Sequence, residues 1–137
     1  MVGFEINGKP MWLRRFLVVL AVFALCTSAE AQQPGKIFRI GVLDQSTASG
    51  SAVLLEAFRQ ELSKLGWIEG KNITFEYRFA EQKLQRLPEL AADLVRLKVD
   101  VIVVRATDAT LAAKSATTTT PIVMAAAADP LGAGLVA

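Results

Sequence analysis

Two short polar stretches carry most of the side chains able to do chemistry. The first is DQSTASGS (44–51), where Asp44, Gln45, Ser46 and Thr47 follow an apolar run. The second is RATDAT (105–110), where Arg105, Thr107 and Asp108 follow another. Asp129, directly before Pro130, is a third candidate. Carboxylate, hydroxyl, amide and guanidinium groups placed where apolar runs stop suit the hydrogen bonding of a small polar solute. They do not suit nucleophilic catalysis. The chain has no histidine and one cysteine, Cys26, inside a leader-like apolar run. An imidazole base and a thiolate nucleophile are therefore missing, and no carboxylate pair is spaced for acid–base work. Thiolate and imidazole metal sites go with them. No enzyme activity, metal or cofactor is expected. GAG (132–134) is not a dinucleotide fingerprint, because the following glycine is missing and it does not open the first strand–helix turn.

The first thirty residues do a different job. Met11 to Arg15 make a short basic start, FLVVLAVFALC (16–26) is continuously apolar, and Ala29-Glu30-Ala31 is a small-x-small exit. That order reads as a secretory signal cleaved after Ala31, with initiation at Met1 or Met11. The apolar run falls short of the roughly 20 residues a spanning helix needs. Leu25 before Cys26 disfavours lipid attachment at that cysteine. Export to the periplasm follows. Setting aside Lys9, Arg14, Arg15, Glu5 and Glu30 from totals of 15 basic and 13 acidic residues leaves 12 and 11 from Gln32 onward. These charges are interspersed, so no nucleic-acid surface is expected. Residues 32–36 form a linker, and 37–137 make one small domain.

The elements that position the two polar stretches can be read from periodicity. IFRIGVL (37–43) reads as a strand. AVLLEAFRQELSKLG (52–66) reads as a helix with Leu54, Phe58, Leu62 and Leu65 on one face and Gly66 as its stop. ITFEYRFA alternates, with Ile73, Phe75, Tyr77 and Phe79 on one side, as an edge strand does. A helix from about Gln85 to Lys98 shows Leu87, Leu90, Ala91 and Leu94 as its stripe, with Pro88 in the first turn. VDVIVV (99–104) is a strand buried on both faces, ATLAAKSA (109–116) a short helix, and PIVMAAAA a fourth strand. ADPLGAGLVA opens what reads as another helix. Trp67 and Tyr77 are packing residues, and EGKN (69–72) is a turn.

Strand–helix alternation with apolar inner strands predicts an α/β fold, a doubly wound parallel sheet in the order 2-1-3-4. In that order the connections from the first and third strands leave in opposite directions, and the crevice between them is the default ligand site. Loops 44–51 and 105–109 flank it. Free N–H groups at a helix entrance would favour an anion there. Ser49 or Ser51 would equally serve as an ordinary N-cap, Thr107 as the cap of the third helix, and Asp108 as a first-turn acid facing the dipole.

EAFRQELSKLGWIEGKNITFEYR, RLPELAADLVRLKVDVIVV, AAKSATTTTPIVM and DPLGAGLVA together resemble one family. It is the ABC-transporter substrate-binding proteins of the type-I periplasmic-binding fold, in the branch associated with aromatic amino acids and related small solutes. The resemblance covers nearly all of 37–137. It implies two α/β lobes closing on a solute, which is then delivered to a membrane permease, and it makes this chain an incomplete first lobe. The crevice loops make Asp44, Gln45, Ser46, Thr47, Arg105, Thr107 and Asp108 the solute-contacting candidates, with Asp129 after the fourth strand as a further one. The chain departs from the family where a small residue, a glycine and Thr-Pro are usual and Arg105, Ala106, Thr107 and Asp108 stand instead. An exposed fourth-strand edge would favour self-association. Two other readings remain: a flavodoxin-like or receiver-like module, which lacks clustered acids beyond Asp44, and an effector-sensing regulator lobe, which lacks a helix-turn-helix before Ile37.

Overall fold

A computed structural model describes residues 35–126 and 129–135. The expected leader, 1–31, and most of the linker lie outside the described residues. Four strands, β1 (Phe38–Asp44), β2 (Ile73–Phe79), β3 (Val101–Arg105) and β4 (Ile122–Ala126), form one sheet. Its order is β2-β1-β3-β4, and every pairing is parallel. The doubly wound order expected from the sequence is the order found. Three helices connect the strands: α1 (Ala48–Lys64), α2 (Leu87–Arg96) and α3 (Thr107–Ala116). No helix among the described residues is long and apolar enough to cross a membrane.

Alternation along β1 divides the core in two. Leu43 faces α2 and α3, packing with Leu87, Leu90, Leu94, Ile102, Val104 and Ala113 in a cluster closed to solvent. Ile40 and Val42 face α1, with Ile73 and Phe75 from β2 and the half-buried Leu55, Phe58 and Leu62 from the helix. Each fully buried aliphatic side chain stabilises the fold by about 1.5–3 kcal/mol, so the α2/α3 side supplies most of the stability. Gly41 belongs to that side too. A Cβ there would lie 3.2 Å from both methyls of Leu94 and from Cγ2 of Val99. The missing side chain is what lets α2 sit so close to the sheet.

The α1 side is thinner than its sequence pattern implies. Leu54, expected on the buried stripe, is 57% exposed, and Leu65 is exposed as well. The register of α1 turns Leu55 rather than Leu54 inward. Beside the helix lies an open apolar trough of about 640 Å³, bordered by Leu54, Phe58, Val101, Val103 and Val123. The described residues beyond β4, 129–135, do not cover it. Residues 130–134 are turns rather than the helix expected there, and Gly134 O accepts from Lys114 Nζ of α3 at 2.6 Å. That segment therefore runs to the α3 side.

Connections at the amino end of the sheet are tightly tied. Helix α1 stops in a Schellman arrangement. Gly66 takes φ +89°, Gly66 N donates to Ser63 O, and Trp67 N donates to Leu62 O. Asn72 then holds the expected turn, accepting from Ile68 N at 2.7 Å and donating to Gly66 O at 2.8 Å. Trp67 packs on Phe38, while Phe75, Tyr77 and Phe79 stack along β2, as expected of packing residues.

Asp100 joins β1 to the start of β3. Its carboxylate accepts from Arg39 N at 2.9 Å and from Lys36 Nζ at 2.5 Å. The Arg39 amide, and after it the Lys36 ammonium, hold its pKa below the usual 3.8. A depressed folded pKa gives stability that is complete above the ordinary carboxylate range and lost as pH falls through the folded value. Asp100→Asn is therefore expected to lower Tm at pH 6 yet flatten its decline below about pH 4. Thermal melts of both chains from pH 6 to pH 2 check this, and parallel curves would remove Asp100 from the acid response.

Candidate functional site

At the carboxyl end of the sheet, Asp44 and Arg105 are register partners on neighbouring strands. Both follow the alternation of the α1-facing residues, Ile40 and Val42 on β1 and Val101 and Val103 on β3. Asp44 is 2% exposed. Its Oδ1 accepts from Ser46 N at 2.9 Å, and its Oδ2 accepts from Ser51 Oγ at 2.6 Å. Arg105 Nε lies 3.6 Å from Oδ2, which is an ion pair rather than a hydrogen bond. Ser46 and Ser51 are buried as well, with their hydroxyls 2.6 Å apart. Because Ser51 Oγ spends its proton on Asp44, Ser46 Oγ must be the donor between them, or donate to Thr47 O at 3.2 Å. The result is a closed polar cluster at the end of an apolar strand pair.

Thr47 caps α1. It has extended backbone angles, and its Oγ1 accepts from Gly50 N at 3.0 Å. The helix thus begins four residues earlier than the apolar pattern indicated. Its cap is Thr47 rather than Ser49 or Ser51, because Ser51 has turned inward to Asp44. Gln45 and Ser46 are braced from the β2–α2 connection. Gln45 O accepts from Gln82 N at 2.8 Å and Ser46 O from Glu81 N at 3.1 Å. Glu81 and Gln82 both have positive φ, 54° and 63°. Sequence reasoning missed Ser51 and this bracing loop. A short polar stretch after the aromatic edge strand was its one signal.

On β3 the ladder to β4 slips: Val104 is opposite Met124, but Arg105 is opposite Ala126. The next residue, Ala106, has φ 77° and ψ 156°, and its N–H donates to Ala126 O at 2.7 Å. This backbone region is essentially reserved for glycine. Ala106 O accepts from both Thr110 N and Thr110 Oγ1, so α3 holds the strained residue in place. Thr107 and Asp108 consequently sit in the first turn of α3, with Ala106 rather than Thr107 at the cap position. Thr107 is half-buried and Asp108 exposed. Ala106→Gly is expected to raise the unfolding free energy by about 1 kcal/mol. It relieves ~1–3 kcal/mol of backbone strain against ~0.4–1 kcal/mol of added unfolded-chain freedom. Urea unfolding measures the change, and a loss of stability would show that the left-handed conformation is not adopted.

Asp129 also follows a strand end, but its carboxylate serves its own turn, with Oδ1 accepting from Gly132 N at 2.9 Å. No hydrogen bond or ion pair described links it to Asp44 or Arg105. The structure therefore brings Asp44, Ser46 and Arg105 into one cluster, sets Gln45, Thr47, Thr107 and Asp108 on the adjoining helix entrances, and leaves Asp129 on a separate turn. Among the described residues no group of acids, cysteines or histidines is placed to hold a metal ion. Hydroxyl groups, helix entrances and one guanidinium at the reversal of strand order can bind a polar solute.

A doubly wound lobe with a polar cluster at its strand ends is an arrangement able to hold a small polar solute. A family model, ABC transporter substrate binding protein, matches residues 41–137, and the chain belongs to that family. The family is one of binding proteins rather than enzymes. The chain is 33% identical over 81 residues to the tyrosine-binding protein of Clostridioides difficile, covering 59% of this chain and 24% of that one. A conserved domain protein from Vibrio cholerae shares the fold at TM-score 0.68 and 33% identity, over 74% of this chain and 34% of that one. A ligand-free, open substrate-binding protein with adhesive properties from Clostridium difficile gives 0.67 and 28%, over 73% and 34%. The ABC domain from Streptococcus pneumoniae in complex with L-Trp gives 0.65 and 27%, over 72% and 33%. The chain thus spans between a quarter and a third of the length of these relatives.

Proposed function

We propose that the chain forms the amino-terminal part of a solute-capturing protein of an ABC importer. It is exported to the periplasm, and it contributes one wall of a cleft for an amino-acid-like solute. The observation that carries this reading is the Asp44–Ser46–Ser51–Arg105 cluster at the carboxyl ends of β1 and β3, where the direction of the connections reverses. The L-tryptophan in one neighbour and the tyrosine in another's name support the solute class. The relatives' greater length supports a second wall lying outside these residues, and the transporter family supports a permease partner.

Capture of a small molecule depends on burying about 70–90% of its surface. One wall leaves the solute half wet, and its hydrogen bonds then compete with water for little gain. The isolated chain should therefore bind weakly, and self-associate along the β4 edge next to the bare trough. Light scattering and thermal melting, with and without amino acids, test both statements. A monomer whose melt rises by several degrees with an amino acid would refute the two-wall reading. In a chain completed to its relatives' length, Ser46→Ala, Thr107→Ala and Asp108→Ala should each weaken binding by about 1–3 kcal/mol. Unchanged calorimetric affinity with all three replaced would place the site elsewhere. Export has its own test: mass spectrometry should find a mature terminus at or within a residue or two of Gln32.

A further inference from the structure

We infer that Arg105 selects the solute by grasping a carboxylate, with Asp44 as the residue that positions it. The inference rests on loops 44–51 and 105–109 forming the cleft wall. A guanidinium has five donors in a planar fork. Asp44 faces the Nε edge at 3.6 Å and is the group paired with Arg105 among the described residues. That carboxylate is meanwhile served by Ser46 N and Ser51 Oγ. The pairing therefore aligns the arginine, and among the described residues no bond is described to its two terminal nitrogens, the bidentate edge. About a third of the side chain remains exposed, at the rim of the trough beside α1, which Asp44 and Ser51 also line.

The backbone beneath Arg105 is unusually constrained. The ladder slips between Val104 and Arg105, and Ala106 is held in a glycine-type conformation by bonds to Ala126 and Thr110. Bulges and strained residues concentrate where a side chain must be aimed. A planar carboxylate matches the fork in shape and charge. The selected class is thus a solute whose carboxylate meets Arg105.

The test uses the 15N-labelled chain completed to its relatives' length and without its leader, titrated with L-tryptophan, L-tryptophanamide and inorganic phosphate. The Arg105 Nε–Hε resonance and the Ser46 and Thr107 amides are followed. L-tryptophan should bind at least tenfold more tightly than its amide, which keeps the ring and ammonium but lacks the carboxylate. Arg105→Gln should bring L-tryptophan down to the level of the amide and leave the amide unchanged. Arg105→Lys keeps a cation beside buried Asp44 and so guards against a misfolded variant. It should retain the fold and lose most of the discrimination. Equal binding of acid and amide, with shifts still confined to the two loops, would overturn the role of Arg105 while leaving the cleft in place. Tighter binding of phosphate would overturn the choice of carboxylate. An absence of shifts at both loops for all three probes would overturn the cleft and this inference together.

Discussion

Leu94→Ala is expected to lower the unfolding free energy by about 2–5 kcal/mol. Leu94 is fully buried in α2, and its two methyls fill the space over Gly41 that lets helix and sheet approach. A domain of roughly 100 residues is stable by only about 5–15 kcal/mol, so this change alone removes a large share. Tm should fall by about 4–8 °C for each kcal/mol lost. Gly41→Ala is expected to destabilise for the opposite reason, because its methyl would press on Leu94 and Val99. Combined, the two should cost less than their sum, since the new methyl occupies part of the void left by the old ones. A double-mutant cycle from urea unfolding measures this. Strict additivity would mean that Gly41 and Leu94 are not in contact.

Asp44→Ala should be comparably severe. It strands two buried donors, Ser46 N and Ser51 Oγ, each costing about 1–3 kcal/mol when unsatisfied. It also leaves Arg105 without its partner. Asp44→Asn is expected to be much milder. Its carbonyl can still accept from one donor, and Ser51 can rotate to accept from the new amide. A ranking with Asn as harmful as Ala would show that the charge opposite Arg105, rather than the hydrogen bonds, holds the cluster. Denaturant unfolding of both variants beside Arg105→Gln separates these contributions.

Much of the fold was legible from period alone. The α2 stripe of Leu87, Leu90, Ala91 and Leu94 is buried as read, because that helix has both a sheet beneath it and α3 beside it. The same reasoning erred on α1, where Leu54 is exposed. Periodicity registers an apolar face, but cannot tell whether a partner covers it. The candidate site was legible as two loops following apolar strands, since chain reversal puts such loops together. Its internal wiring was not. Ser51 looked like a cap because sequence gives no sign that a serine seven residues after an aspartate will turn inward to it. Ala106 was equally hidden, because nothing about an alanine announces a left-handed backbone. Only the contrast with the glycine usual in the family hinted at it.

The route taken by the chain after β4 carries a consequence for synthesis. Crossovers between parallel strands are right-handed in about 98% of cases, and the β3–α3–β4 unit already places its helix opposite α1. A further unit built outward from β4 repeats that choice, in keeping with the bond from Lys114 to Gly134. In a chain as long as its relatives, the trough beside α1 would then wait for an element at least one whole strand–helix–strand unit later, which is roughly 30 residues. A ribosome adding about 5–20 residues each second takes some 2–6 s to make that unit. In a chain as long as its relatives, Val101, Val103 and Val123 would stay open to water for that interval while β4 still had a free edge. Recovery of folded protein should then rise when elongation past β4 is quickened or when a holdase shields the nascent sheet.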